Sequence, residues 1–95
     1  MSETEAALAF YRAEIDEIDA QLLDLLNKRA KAALSIGKMK KAQGLPIYVP
    51  EREEQVLASL TRRNPGPMHG EMITAVYREI ITQMKILEES ISNTE

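Results

Sequence analysis

The stretch LAFYRAEIDEIDAQLLDLLNKRAKAALSIGKM, residues 8–39, decides the fold. Leu8, Ile15, Leu22, Arg29 and Ile36 stand seven apart in it, and Tyr11, Ile18, Leu25, Ala32 and Met39 form a companion row. Apolar positions that alternate three and four apart mark one face of a long helix. Arg29 occupies the place where a fourth apolar residue is due. A guanidinium on a buried seam gives up its hydration at a cost of several kcal/mol unless something anionic meets it. A structural glutamate or a bound anion could be that partner.

Outward from this stretch, the helical reading extends from about Thr4 to Ala42, rich in Ala, Leu, Glu and Lys and weakened only by Gly37. Gln43-Gly44-Leu45-Pro46 stops it, Gly44 being suited to a left-handed helix end. Ile47-Tyr48-Val49 reads as a short extended link. Pro50 suits a helix start, and Glu51, Glu53 and Glu54 favour the positive end of the helix dipole. This second helix turns Val56, Leu57 and Leu60 inward and ends at Arg62-Arg63. The run Asn64-Pro65-Gly66-Pro67 is a break. A third helix runs from about Gly70 to Ser90, with Ile73, Tyr77, Ile80, Met84, Leu87 and Ile91 as its stripe. The expected fold is all-α, one domain over residues 1–95 with one long, one short and one medium helix.

Composition narrows the function classes. The chain has 95 residues, no cysteine and a single histidine, His69, so thiolate and histidine-cluster metal sites are excluded. No apolar run reaches the length of a membrane span, and the first residues lack a secretory pattern. A cytoplasmic protein is expected. A net charge of −3 and a pI near 5.2 argue against non-specific nucleic-acid binding. An anion recognised here must be met by a local cluster of cations.

Length carries a further implication. A helix of about 38 residues is about 57 Å long, whereas a compact chain of this size is only about 30 Å across. Amphipathic to both ends, such a helix needs a partner, and an identical chain is the simplest. An intertwined helical homodimer is expected.

Five charged residues stand out. Lys40, eleven residues after Arg29, falls on nearly the same face, about 16 Å along the axis. Arg12 lies about 25 Å from Arg29 and is rotated away from it, so it could reach a shared ligand only from the other chain of an antiparallel dimer. Arg52 adds a donor near the Lys40 end. Glu88 sits on the shoulder of the third helix's stripe. Each has a plainer reading: Arg12 and Arg52 as solvated charges, Lys40 as dipole complementation, Glu88 as an exposed partner of Lys85. His69, Tyr48 and Tyr77 read as loop or core residues, and Met39, Met68, Met72 and Met84 as packing.

Taken together, these residues resemble the AroQ class of chorismate mutases, the all-helical family. The resemblance runs from Ala9 to about Glu89. It rests on Tyr11-Arg12, Ile15-Asp16, Ile18-Asp19, Leu22 to Arg29, Ile36 to Lys40, and Pro46 to Glu53. The stretches Pro46 to Glu54, Asn64 to Pro67 and Tyr77 to Ile80 are most similar to mutase domains fused to prephenate dehydratase. The resemblance implies an isomerase that converts chorismate to prephenate by a pericyclic rearrangement, with no cofactor, metal or covalent intermediate. It implies that Lys40 and Glu88 meet the ether oxygen. It further implies that Arg29, Arg52 and the partner's Arg12 clamp the carboxylates, and that Glu53 accepts from the ring hydroxyl.

Three positions depart from the commoner pattern. Val49 stands where many relatives carry aspartate, Met84 replaces a small polar residue, and Glu88 is glutamine in part of the family. An ionised Glu88 would repel the developing oxyanion, so the productive form is expected to be protonated. Three alternatives stay open: isochorismate pyruvate lyase, which shares the fold and a similar cationic pocket, a non-catalytic regulatory domain, and a purely structural helical dimer.

Overall fold

The computed structural model describes residues 2–92. Three helices, α1 (Glu3–Gln43), α2 (Pro50–Arg63) and α3 (Gly70–Ser92), follow one another, and there is no strand among the described residues. The all-α expectation holds, with boundaries moved by one or two residues.

Local chemistry explains where each helix begins and ends. Ser2 Oγ accepts from the Glu5 backbone N–H at 3.0 Å and donates to Glu5 Oε1 at 3.3 Å. This Ser-x-x-Glu pattern closes the N-terminus of α1 through a side-chain cap. At its other end Leu45 N–H reaches Lys40 O at 2.8 Å and Gly44 N–H reaches Lys41 O at 3.3 Å. Gly44 takes φ +67°, the left-handed conformation that this paired closure requires. Pro50 opens α2, whose N-cap Val49 is extended and supplies no side-chain bond. The Val49 carbonyl receives Arg52 N–H at 3.1 Å and Glu53 N–H at 3.2 Å. Asn64 closes α2 through its N–H to Thr61 O, and its amide donates onward to Met68 O at 2.7 Å.

The chain divides into two compact units, Met1–Lys31 and Ala32–Glu95. In the first, every described residue as far as Lys28 is exposed, the apolar rows included. Phe10 shows 64% of its surface and Leu23 61%. No helix is long and apolar enough to cross a membrane among the described residues.

In the second unit the core draws on all three helices: Ala33 and Gly37 from α1, Leu57 from α2, and Met84 and Glu88 from α3 are buried. Val56, Leu60, Ile73, Tyr77, Ile80, Leu87 and Ile91 are half-buried around them, so the expected stripes of α2 and α3 are their inward faces. On α1 the buried positions are small residues, while Ile36 and Met39 of the apolar rows stay exposed. Small side chains let two helix backbones come close, and that approach selects the inward face here. Met84 is the packed methionine; Met39, Met68 and Met72 were expected to pack and are exposed in the single chain.

Candidate active site

Most of the expected site residues lie in the unit Ala32–Glu95. α1 brings Lys40, α2 brings Arg52 and Glu53 behind Val49, and α3 brings Met84 and Glu88. Gly37 fixes how closely the first and third of these helices meet. A Cβ placed on Gly37 would lie 3.3 Å from Glu88 Cβ and 3.5 Å from its Cα. Lys41 Nζ, one turn further on, donates to the Ile91 carbonyl at 3.3 Å. Read as a weak point in the helix from sequence, Gly37 is the contact that seats Glu88.

Glu88 is buried, with 9% of its surface exposed. That overturns its reading as an exposed partner of Lys85. Met84, one turn earlier on α3, is buried equally, so the two share an inward-facing side of the helix. Burial disfavours the charged form of a carboxyl group.

Lys40 is half-buried and its Nζ donates to the Ile47 carbonyl at 3.0 Å. An ammonium has three donors, so this bond positions the cation and leaves two N–H directions for a ligand. The plainer reading of Lys40, as a charge complementing the last turn of the helix, does not account for this reach into the following loop.

Glu53 is half-buried in the first turn of α2. Lys85 of α3 lies with its Nζ 3.6 Å from Glu53 Oε2 and 4.2 Å from the centroid of the Tyr48 ring. From sequence, Tyr48 reads only as a loop or core residue and Lys85 only as an exposed partner of Glu88. A lysine on a helix shoulder looks like any solvated charge until the tertiary fold places a carboxylate and an aromatic face beside it. Arg52 is exposed, and Val49 is half-buried.

Arg12 and Arg29 belong to the other unit, Met1–Lys31. Arg12 is exposed. Arg29 is half-buried, unlike the run of exposed residues before it, so a position inside the apolar row does coincide with loss of solvent.

A lysine restrained near the end of α1 and a second lysine beside the half-buried Glu53 suit a small anionic ligand. The all-helical architecture and this site define a class that comparison with known proteins makes specific. The chain belongs to the chorismate mutase type II family, whose model matches residues 11–89. It is 44% identical over 84 residues to a bifunctional chorismate mutase/prephenate dehydratase of Aquifex aeolicus, covering 84% of this chain. It spans 23% of that protein's length and about a quarter of the length of other curated relatives. Two solved structures align closely. A chorismate mutase from Thermus thermophilus has a TM-score of 0.86 and 38% identity, covering 87% of this chain and 94% of that one. A chorismate mutase from Helicobacter pylori in complex with prephenate has a TM-score of 0.87 and 36% identity, covering 95% and 99%.

Proposed function

We propose that this chain, as one cytosolic domain, catalyses the rearrangement of chorismate to prephenate, the reaction for which its family is named. The observation that carries the reading is a buried carboxyl group, Glu88 on α3, seated against Gly37 of the helix that also carries the half-buried, restrained Lys40. In this rearrangement the ether bond breaks ahead of carbon–carbon bond formation, so negative charge grows on the ether oxygen. A cation held in place beforehand, aimed at that oxygen, stabilises the transition state more than the substrate. Lys40, restrained by the Ile47 carbonyl, takes this role, and protonated Glu88 gives a second hydrogen bond.

The substrate's two carboxylates require further cations. Arg29 and Arg52 of one chain and Arg12 of a second copy hold them and select the folded, reactive conformer. Glu53 accepts from the ring hydroxyl. Val49 and Met84 line the same pocket as apolar wall, without the polar contacts that aspartate and a small polar side chain give in relatives. The exposed apolar rows of α1 are the surface on which the second copy packs. Enzymatic accelerations of about 10⁶ correspond to about 8 kcal/mol, within the reach of several such contacts acting together.

The test follows the ultraviolet absorbance of chorismate with purified protein and identifies the product, with isochorismate offered in parallel. Loss of chorismate with formation of prephenate is expected. A flat trace overturns the reading, and release of pyruvate from isochorismate alone would favour the lyase.

A further inference from the structure

We propose that Lys85 is a positioning residue that holds the Glu53 carboxylate in place to receive the substrate's ring hydroxyl. The inference rests on the proposed role of Glu53. Three elements meet at this lysine. It rises from α3, its Nζ lies 4.2 Å over the ring of Tyr48 in the loop before α2, and 3.6 Å from Glu53 Oε2 in the first turn of α2. The Lys85 side chain is 28% exposed and that of Glu53 15%, so solvent screens the pair less than it screens an ordinary surface ion pair.

The contrast is with Arg78 and Glu54, which also link α3 to α2 but at 3.9 Å and with side chains 55% and 70% exposed. That pair has the geometry of a solvated contact worth little. Lys85 differs because the aromatic face under its ammonium restricts where the charge can go. At 3.6 Å it attracts Glu53 without forming a short hydrogen bond. Both carboxylate oxygens therefore keep lone pairs for a donor, while the charge limits the rotamers that the carboxylate samples.

This arrangement answers the loss at Val49. Where an aspartate would share the hydroxyl, valine offers no acceptor, and the task falls on Glu53 alone. A single acceptor on a flexible side chain loses rotamer entropy on binding. Fixing it beforehand by Lys85 removes part of that cost. The hydroxyl does not take part in bond breaking, so its contact is made alike in ground and transition states. Losing it raises KM and leaves kcat nearly unchanged.

The experiment compares steady-state kinetics of the full chain and its variants on chorismate and on chorismate whose ring hydroxyl is replaced by hydrogen. Lys85→Met keeps the aliphatic stem over Tyr48 and removes the charge. It should raise KM for chorismate by roughly three- to tenfold, with kcat within about twofold. Lys85→Arg should restore KM, and the deoxy analogue should show no difference between Lys85→Met and the parent. In the Glu53→Gln background the Lys85→Met change should add nothing, since the two residues act as a unit. Unchanged KM in Lys85→Met while Glu53→Gln is impaired overturns the role of Lys85 alone. An equal rise in KM for the deoxy analogue does the same, because it signals a general loss of charge or fold. If Glu53→Gln itself leaves KM unchanged, the role assigned to Glu53 fails and that of Lys85 with it. Circular dichroism and thermal unfolding of each variant separate these outcomes from misfolding. Should Lys85→Met unfold, Tyr48→Leu tests the same restraint through the ring and should raise KM in the same direction.

Discussion

Gly37 and Glu88 face each other at backbone distance: a methyl group on Gly37 would stand 3.3 Å from Glu88 Cβ and 3.4 Å from its Cγ. The residue that weakens α1 as an isolated helix is the one that lets α3 approach and seats the buried carboxyl. Gly37→Ala sets two effects against each other. Alanine gains about 1 kcal/mol in helix propensity, while its Cβ obliges Glu88 to give by a few tenths of an ångström. Thermal unfolding should therefore shift by no more than about 4 °C, yet turnover should fall by about tenfold because a reacting contact is displaced. Gly37→Val should cost about 1–3 kcal/mol in urea unfolding. Full turnover in Gly37→Ala would show that the Glu88 position is not critical.

Glu88 should give the enzyme a pH dependence of definite sign. In the proposed mechanism the protonated carboxyl donates to the ether oxygen, whereas a carboxylate would repel the charge growing there. Mutase activity should be highest on the acid side of the Glu88 titration and fall as pH rises through it. Glutamine donates at every pH, so Glu88→Gln should flatten the alkaline fall in kcat. A fall that persists unchanged in Glu88→Gln assigns it to another group.

Val49 leaves α2 without a side-chain cap. Val49→Asp supplies an N-cap acceptor and a negative charge at the positive end of the helix dipole. We expect a gain of about 0.5–2 kcal/mol in stability by urea unfolding, and a lower KM for chorismate through a second acceptor for the ring hydroxyl. A gain in stability with no change in KM would leave the capping argument standing and remove position 49 from the binding site.

Substitutions at Arg29 should separate the proposed catalysis from the proposed assembly. Arg29→Ala should lower turnover by about 10²–10³-fold or more, while light scattering still finds twice the mass of one chain. Arg29→Leu fits the apolar row and should raise the stability of the dimer while abolishing turnover. If Arg29→Leu is active, the guanidinium serves the helix seam alone. A monomeric parent protein would remove the second copy, and with it the assigned role of Arg12.

Helix identity, helix order and most boundaries follow from local rules. Gly44 at the end of α1 and Pro50 at the start of α2 act through their own backbone, so they could be read before any packing was known. The Ser2–Glu5 cap is equally local but was missed in the sequence, where the serine–glutamate spacing is its signal. Arg29 was legible for a different reason, since a charge that interrupts an apolar period marks itself, and Lys40 because it falls on nearly the same face eleven residues later. Glu88 was legible only through resemblance, since its helical position on the stripe's shoulder is compatible with either exposure or burial.

Sequence by itself determined three amphipathic helices, their breaks, and a set of cations that a helical core alone does not explain. The tertiary structure decided which face of α1 turns inward at Ala33 and Gly37, that Glu88 is buried against it, and that Lys85 faces Glu53 over Tyr48. The physical reason is range. Periodicity and capping depend on residues within a turn or two, whereas these contacts join positions 32 to 51 residues apart. Only packing could bring them together, because nothing in either local segment favours one partner over another until the helices have met.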